Sequence, residues 1–305
     1  MKSRHALLAL LAGGLALAAL PWLLSDFLLA LALSCVMYAG LAVSWSMFSG
    51  ATNYLSLATA AFFGLGAYVT AWGAGALPYG LSVLAGGLVA AGFAALIGAA
   101  VLHLRGAYFA VITFGLGELV RHGITYYEKA FEGTVGRVIA EAPESTTVYW
   151  MVLLVAMGAV GAAVLVRDHR LGLALRGIGS DEERAQTLGV NARRTKIAAF
   201  ALSAFFAGAL GAAMAVRWTY IDPPTVFNPF IGFQTVLIAM VGGAHTILGP
   251  IASAVAFSLL TEFLRLQFPY LFLVILGFLL ILLVLYLPGG IASLFERWRW
   301  RRGNV

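Results

Sequence analysis

The sequence predicts an all-α integral membrane protein of about ten transmembrane helices, some of them broken, with one short helix held on the cytoplasmic side. Three observations carry that expectation. Apolar residues make up 62% of the 305 positions and charged residues only 10%, at a mean hydropathy of +0.94; a soluble domain needs roughly a quarter of its residues charged to wet its surface. The apolar residues fall in successive runs of the length, about 20 residues, that a helix needs to cross a hydrocarbon core of about 30 Å. The cations gather in short clusters between these runs, as they do in cytoplasmic loops.

On that scale the expected spans are 6–24, 27–48, 55–77, 81–104, 106–127, 148–166, 195–218, 231–243, 249–267 and 270–288. The eighth is too short to cross as an ordinary helix and reads as part of a broken element with the stretch Gly242 to Pro250. The N-terminus, with Lys2, Arg4 and His5 ahead of an apolar run, also has the charge and length of a cleaved signal peptide. A retained first span is preferred. The apolar run continues past Pro21 to Leu24, and a second begins at Phe27.

Orientation follows from the cations. The loop 167–196 holds Arg167, Arg170, Arg176, Arg184, Arg193, Arg194 and Lys196; the tail holds Arg297, Arg299, Arg301 and Arg302; the N-terminus adds Lys2 and Arg4. All three belong in the cytoplasm. Six spans precede the basic loop and four follow it, so both termini are expected to be cytoplasmic. The loop 128–147 then falls outside, and it is net acidic, with Glu128, Glu132, Glu141 and Glu144 against Lys129 and Arg137. The chain reads as one polytopic domain over 1–305: six spans in 6–166, the cytoplasmic loop 167–194, four spans in 195–288 and a cytoplasmic tail 289–305.

The net charge of +6 does not point to nucleic acid, because the cations are loop clusters. The alternation of Trp and Arg in 296–302 directly follows a span. It reads as an interfacial anchor, Trp at headgroup level and Arg toward anionic membrane lipid, rather than as a stacking surface for bases. The single cysteine, Cys35, rules out an intrachain disulfide and a Cys-based metal site. A faint internal echo relates Gly50-Ala51-Thr52-Asn53-Tyr54-Leu55 to Gly243-Ala244-His245-Thr246-Ile247-Leu248. It is either a parallel repeat with Gly-broken helices or a chance likeness of Gly/Ala-rich segments.

The cytoplasmic loop has a design of its own. Ser180-Asp181-Glu182-Glu183 reads as a capping box, Ser180 at the N-cap and Glu183 at N3, with acids over the positive helix end. Arg184 follows; Ala185 and Leu188 provide a small apolar face, Gly189 suits the C′ position, and Asn191 caps the next helix from about Thr195. A short, rigid, solvent-facing helix of this kind can act as a lever docked in a partner's groove. The alternative, a helix lying on the membrane surface, remains open at this point.

The same residues resemble a known family. Residues 175–191, LRGIGSDEERAQTLGVN, are similar to the cytoplasmic loop of the branched-chain amino-acid ABC-transporter permeases of the LivM type, which reads approximately ALRAIRDDEIAAEALGINV. Residues 195–212 continue as the family does. Residues 55–68, LSLATAAFFGLGAY, resemble LSLGQAAFFGIGAY; residues 104–110 resemble LRGIYFA; residues 287–291 resemble LPRGL. The resemblance runs in order over 27–295. It implies that Asp181, Glu182, Glu183, Arg184, Ala185, Leu188 and Gly189 form a coupling helix seated on an ATPase subunit. It also implies a sister permease, two ATPase subunits, an extracytoplasmic solute-binding protein and a bacterial or archaeal cytoplasmic membrane. No cofactor is expected in this chain: ATP and Mg would sit on the ATPase subunits, and the chain contains no G-x-x-x-x-G-K-[ST] loop. The sequence departs from the family at Ala58-Thr59, where Gly-Gln is usual, at 242–250, GGAHTILGP, and at 132–137, EGTVGR, where TGGTNGL is usual. These departures bear on the solute rather than on the class.

Polar residues within the spans admit two readings each. Glu118, Arg121 and His122, at i, i+3 and i+4, are either a transport-path site or an ion pair fixing one helix face, and the ion pair is preferred. Asn53, Ser56 and Thr59 by the first break, with Gln234, His245 and Thr246 by the second, either line the path of a zwitterion or satisfy backbone groups freed at the breaks. His245 has no Cys or carboxylate at metal-ligand spacing, so it reads as a hydrogen-bonding residue. Gly86-Gly87 and 208–212 read as sites of close helix packing.

The expected function is that of a permease subunit of an ATP-driven importer for branched-chain amino acids, with urea, short amides or other amino acids as alternative solutes. A self-sufficient ion-coupled transporter is the competing class. It would need paired intramembrane acids, and Glu118 is the only carboxylate well inside a span. An intramembrane enzyme would need a metal cluster or a nucleophile–base constellation, and neither is evident in the sequence.

Overall fold

The computed structural model describes residues 10, 12–139, 143–218, 220–269, 271, 274, 275, 277 and 278. Twelve helices run in order: α1, Ala12–Trp22, ending in a 3-10 turn; α2, Asp26–Gly50, whose last five residues form a π turn; α3, Thr59–Gly73; α4, Tyr79–Val101; α5, Ala107–Tyr127, extended by a π turn over Glu128–Glu132; α6, Ser145–Asp168; α7, Arg170–Ser180; α8, Glu182–Thr187; α9, Ala192–Ala215; α10, Pro223–Val226; α11, Pro229–Gly242; and α12, Leu248–Gln267. Two short strands, β1 at Arg137–Val138 and β2 at Tyr220–Ile221, pair antiparallel with Arg137 opposite Ile221. The fold is all-α and multi-pass.

Among the described residues, six helical stretches are long and apolar enough to cross a membrane: Asp26–Gly50, Tyr79–Val101, Ser145–Asp168, Ala192–Ala215, Pro223–Gly242 and Leu248–Gln267. Each matches an expected span within a few residues, except the eighth. That span begins at Pro223, not at 231. Asp222 and Asn228 stand at helix N-caps, and Pro223 and Pro229 occupy first-turn positions, where the missing N–H costs nothing. The expected start at 231 left out these proline-led turns. The third expected span, 55–77, is helical only over fifteen residues, a rise of about 22 Å; an extended segment, 53–57, leads into it. The expected spans 6–24 and 270–288 and the tail 289–305 lie partly or wholly outside the described residues.

Helix α9 is the hub. It packs along α4 and α3 and also touches α2, α6 and α7. Lipid tails are as apolar as leucine, so close backbone approach rather than hydrophobic expulsion must hold such helices together. Small residues supply it. A Cβ at Gly208 would collide with Ala90, one at Gly211 with the Phe63 carbonyl, one at Gly66 with the Gly208 carbonyl, and one at Gly86 with Ala212. The expected role of Gly86-Gly87 and 208–212 in packing is therefore what the structure shows.

The two ends of the bundle are chemically distinct. At one end β1 and β2 join the loops after α5 and α9. At the other lie α7, α8, the segment 51–58 and the turn 102–106, joined by the contacts described below. The parity of the expected topology places these two sets on opposite sides.

Overpacking the seam is expected to cost about 1–3 kcal/mol. Gly211→Leu should lower the thermal unfolding midpoint of the detergent-purified protein, whereas Gly92→Val, where nothing lies within 4 Å, should leave it unchanged.

Candidate coupling and translocation site

The segment between α6 and α9 is an elbow of two helices, α7 and α8. The sequence reading placed one helix there and missed α7, whose apolar positions Leu171, Leu175 and Ile178 have helical spacing but are diluted by Gly172, Gly177 and Gly179. Leu175 and Ile178 are buried. Because α7 continues through Ser180, that residue is not an N-cap: its hydroxyl donates back to the Arg176 carbonyl at 3.1 Å. The cap is Asp181, whose Oδ1 accepts from the Glu183 and Arg184 amides at 3.1 Å each. One residue thus ends α7 and starts α8, which makes the bend sharp.

The far end of α8 is closed as expected at Gly189. Its φ is +87°; its amide donates to the Gln186 carbonyl at 2.9 Å, and the Val190 amide to the Ala185 carbonyl at 3.1 Å. This is the paired bond pattern of a Schellman motif. Asn191 caps α9 by accepting from the Arg194 amide at 3.0 Å, so α9 starts at Ala192 rather than near Thr195. Ala185 and Leu188 do not share a face. Ala185 packs inward with Ile178, Val190 and Ala192, whereas Leu188, the C-cap residue, is 85% exposed. Asp181, Glu183, Arg184 and Gly189 are exposed beside it.

Glu182 turns the other way, into the bundle. Its Oε1 accepts from Lys196 Nζ at 2.7 Å and its Oε2 from the Tyr54 hydroxyl at 2.8 Å, with Arg105 at 3.4 Å. Lys196, only 3% exposed, also donates to the Leu102 carbonyl at 2.8 Å and to the Tyr54 hydroxyl at 3.1 Å. All three donors of the ammonium are used, so this buried charge meets the condition for tolerance. Burial opposes ionisation of Glu182, but Lys196, Tyr54 and then Arg105 outweigh it and hold the carboxyl below its usual range. Lys196, Tyr54 and Arg105 were not singled out in the sequence: a lysine at the start of a span reads as an orientation signal, and nothing in a spacing of fourteen residues marks it as the partner of Glu182.

The first break is locked from both sides. Asn53 has φ +60°, a left-handed conformation that a short polar side chain tolerates, and its Nδ2 donates to the Gly179 carbonyl of α7 at 3.0 Å. Gly179 sits so close to the Ala51 carbonyl that a Cβ would collide with it. Along the extended stretch, Trp45 Nε1 donates to the Ser56 carbonyl at 2.8 Å, and the Leu57 amide donates to Thr113 Oγ1 of α5 at 3.0 Å. Ser56 Oγ accepts from the Ala58 amide at 3.4 Å. Thr59 is buried in the first turn of α3.

The second break is a turn, 243–247, between α11 and α12. Gly243 has φ +92°; Thr246 Oγ1 donates to the Gly243 carbonyl at 2.9 Å and accepts from the Gly249 amide at 3.2 Å. Gln234 is buried and reaches Thr261 of α12 at 3.5 Å. The echo segments meet directly, since a Cβ at Gly50 would overlap the Ala244 carbonyl. His245 is exposed. With Arg167, Arg176, Thr246, Met47 and Ile247 it lines a cavity of about 90 Å³ beside α7.

Glu118 and Arg121 pair at 2.5 Å along α5, with His122 Nε2 at 3.8 Å from the same carboxylate. The ion pair is thus present, but it does not fix packing within the chain. Only Phe109 and Thr113 of α5 are buried, and the His122 side chain is 71% exposed. Among the described residues only His122 of this cluster is exposed; the Glu118 and Arg121 side chains are 27% and 26% exposed.

Lys196→Met should leave the largely buried Glu182 with only the exposed Arg105 as counter-charge and cost about 3 kcal/mol, more than the double variant Lys196→Met/Glu182→Gln; unfolding midpoints measure both. Because the Glu182 pKa is depressed on folding, its stabilisation is full above the ordinary carboxylate range and is lost as pH falls through the folded value. Unfolding midpoints from neutral to acid pH should show that loss, and it should be smaller in Glu182→Gln.

Comparison with known proteins gives one family match: the model described as "branched-chain amino acid transport system / permease component" covers residues 27–284. Two curated relatives are similar over 307 aligned residues, each 26% identical over 89% of this chain and 71% of its own length. They are the high-affinity branched-chain amino acid transport system permease proteins LivM of Escherichia coli K12 and of Salmonella typhimurium LT2. No solved structure gives a significant match.

Proposed function

The chain belongs to the family of branched-chain amino acid transport system permease components, and on that premise we propose that it is the membrane-spanning subunit of an ATP-driven importer of branched-chain amino acids. It works by alternating access with a sister permease, driven by two ATPase subunits that carry ATP and Mg, and it receives solute from an extracytoplasmic binding protein. It is one polytopic domain of ten crossings in a bacterial or archaeal cytoplasmic membrane, with both termini in the cytoplasm.

The observation that carries this reading is the two-faced construction of α8. Its outer side presents Glu183, Arg184 and Leu188 to solvent, and its inner side is tied through Glu182 to Lys196 on α9 and to Tyr54 at the first break. A surface-bound connector needs no such inner tie. A lever does: closure of the ATPases pushes α8, the elbow passes the push to α9 through the ion pair and to the break through Asn53 and Gly179, and the small-residue seam lets whole helices shift as rigid bodies. The face of α5 with Glu118, Arg121 and His122 supports a path between this chain and its sister. Ionisable groups at membrane depth are tolerated when they face protein or a wet cavity.

Leu188→Asp is expected to weaken co-purification with the cognate ATPase by about 2 kcal/mol or more, as for a central interface anchor, and to remove stimulated ATP turnover while leaving the unfolding midpoint unchanged; Glu183→Arg should act in the same direction. Uptake by this chain alone under an ion gradient would replace the importer reading with that of a secondary transporter.

A further inference from the structure

At the end of the bundle opposite α8, the β1–β2 ribbon covers a buried acid. Glu128, which opens the π turn after α5, is 0% exposed. Its Oε2 accepts from the Gly136 amide at 2.9 Å and from the Tyr68 hydroxyl at 3.3 Å. Its Oε1 is buried with no hydrogen-bond partner. Facing that oxygen at 3.9 Å is Arg137 Nε, equally buried and unpartnered. The rest of the guanidinium pairs with Glu132 and lies 5.9 Å from the Trp72 ring centroid. Trp72 in turn packs edge-on against Tyr68, which is fully buried, and against Tyr127; Trp72 and Tyr127 are exposed at this end.

Buried polar atoms are normally satisfied, and each exception asks for an explanation. Here an open acceptor and an open donor of opposite charge face one another across a gap too long for a hydrogen bond. That is the complement of a group carrying both an ammonium and a carboxylate. An ammonium has donors only and a carboxylate acceptors only. The aromatic shelf beside them offers a surface for an aliphatic side chain. The residues involved include Gly136 and Arg137 of the segment 132–137, one of the places where the sequence departs from its family's usual pattern.

We propose that Glu128, Arg137 and the Trp72–Tyr127 shelf form a reception site for the zwitterionic head of an amino acid at the extracytoplasmic mouth. Glu128 Oε1 accepts from the ammonium and Arg137 Nε donates to the carboxylate. This rests on the importer reading and narrows its solute class: urea and short amides carry neither charge. Glu128 is covered by β1 and the residues before it, so the ligand enters as that strand lifts. Lifting the strand separates Glu128 from Arg137, its ion-pair partner at 3.9 Å; an arriving ammonium replaces that counter-charge as the strand closes again, and a ligand without one does not.

The test is saturation-transfer NMR on the purified permease assembled with its sister and ATPase subunits, without the binding protein, using millimolar valine, valinamide and isovalerate in parallel. Loss of a charge-assisted hydrogen bond should weaken binding about tenfold or more. In the wild type, valine should bind better than valinamide, which lacks the carboxylate, and better than isovalerate, which lacks the amine. Glu128→Gln should bring valine down to isovalerate, and Arg137→Ala should bring it down to valinamide. Equal signals from valine and isovalerate in the wild type, or unchanged preferences in both variants, overturn the site. If Glu128→Gln fails to assemble, Arg137→Ala alone decides, since Arg137 is partly exposed. If the ATPase fails to bind even the wild type, the importer reading fails, and the same titrations on this chain alone still decide the site.

Discussion

A buried lysine with three partners organises the α7–α8 end of this protein. Lys196 could not stand uncompensated beneath the elbow, and the groups that satisfy it come from three separate places: Glu182 on α8, Tyr54 at the first helix break and the Leu102 carbonyl after α4. A single charge therefore fixes the position of the elbow relative to three parts of the chain. Removing it would both loosen α8 and leave Glu182 with only the exposed Arg105 as counter-charge, which is why such a group ties elements together more firmly than an apolar contact of the same size.

The second constraint is the backbone itself. Where a chain leaves helical geometry at membrane depth, its amides and carbonyls must find partners within the protein. The stretch 53–58 does so through Trp45, Thr113 and Ser56, and the turn 243–247 does so through Thr246. Of the polar residues beside the breaks, Asn53, Ser56, Gln234 and Thr246 have such partners, and His245 faces the inner cavity. Both breaks are closed by hydrogen bonds within the protein, and the first is also tied to α7 through Asn53.

The third feature is asymmetry of cover. Helices α3, α4 and α9 interlock through glycine and alanine, while among the described residues α5 buries only Phe109 and Thr113. Its Glu118 and Arg121 side chains are 27% and 26% exposed, and His122 and the α8 residue Leu188 stand open.

Composition and local pattern determined much of this in advance. Hydrocarbon demands apolar runs of a set length, so most spans were legible to within a few residues. Cap chemistry is local, so Gly189 and Asn191 were legible as helix punctuation; the shared cap at Asp181 was not, because a seemingly better box began one residue earlier at Ser180 and α7 was masked by its glycines. The eighth span was placed eight residues late because its first turns, led by Pro223 and Pro229, lie outside the continuous apolar run. Only the tertiary structure decided which charges meet. Glu182 and Lys196 lie fourteen residues apart, Glu128 and Arg137 nine, with no periodicity that singles either pair out. An ion pair's worth depends on burial and on the other groups gathered round it, and those are properties of the folded bundle rather than of any segment of the chain.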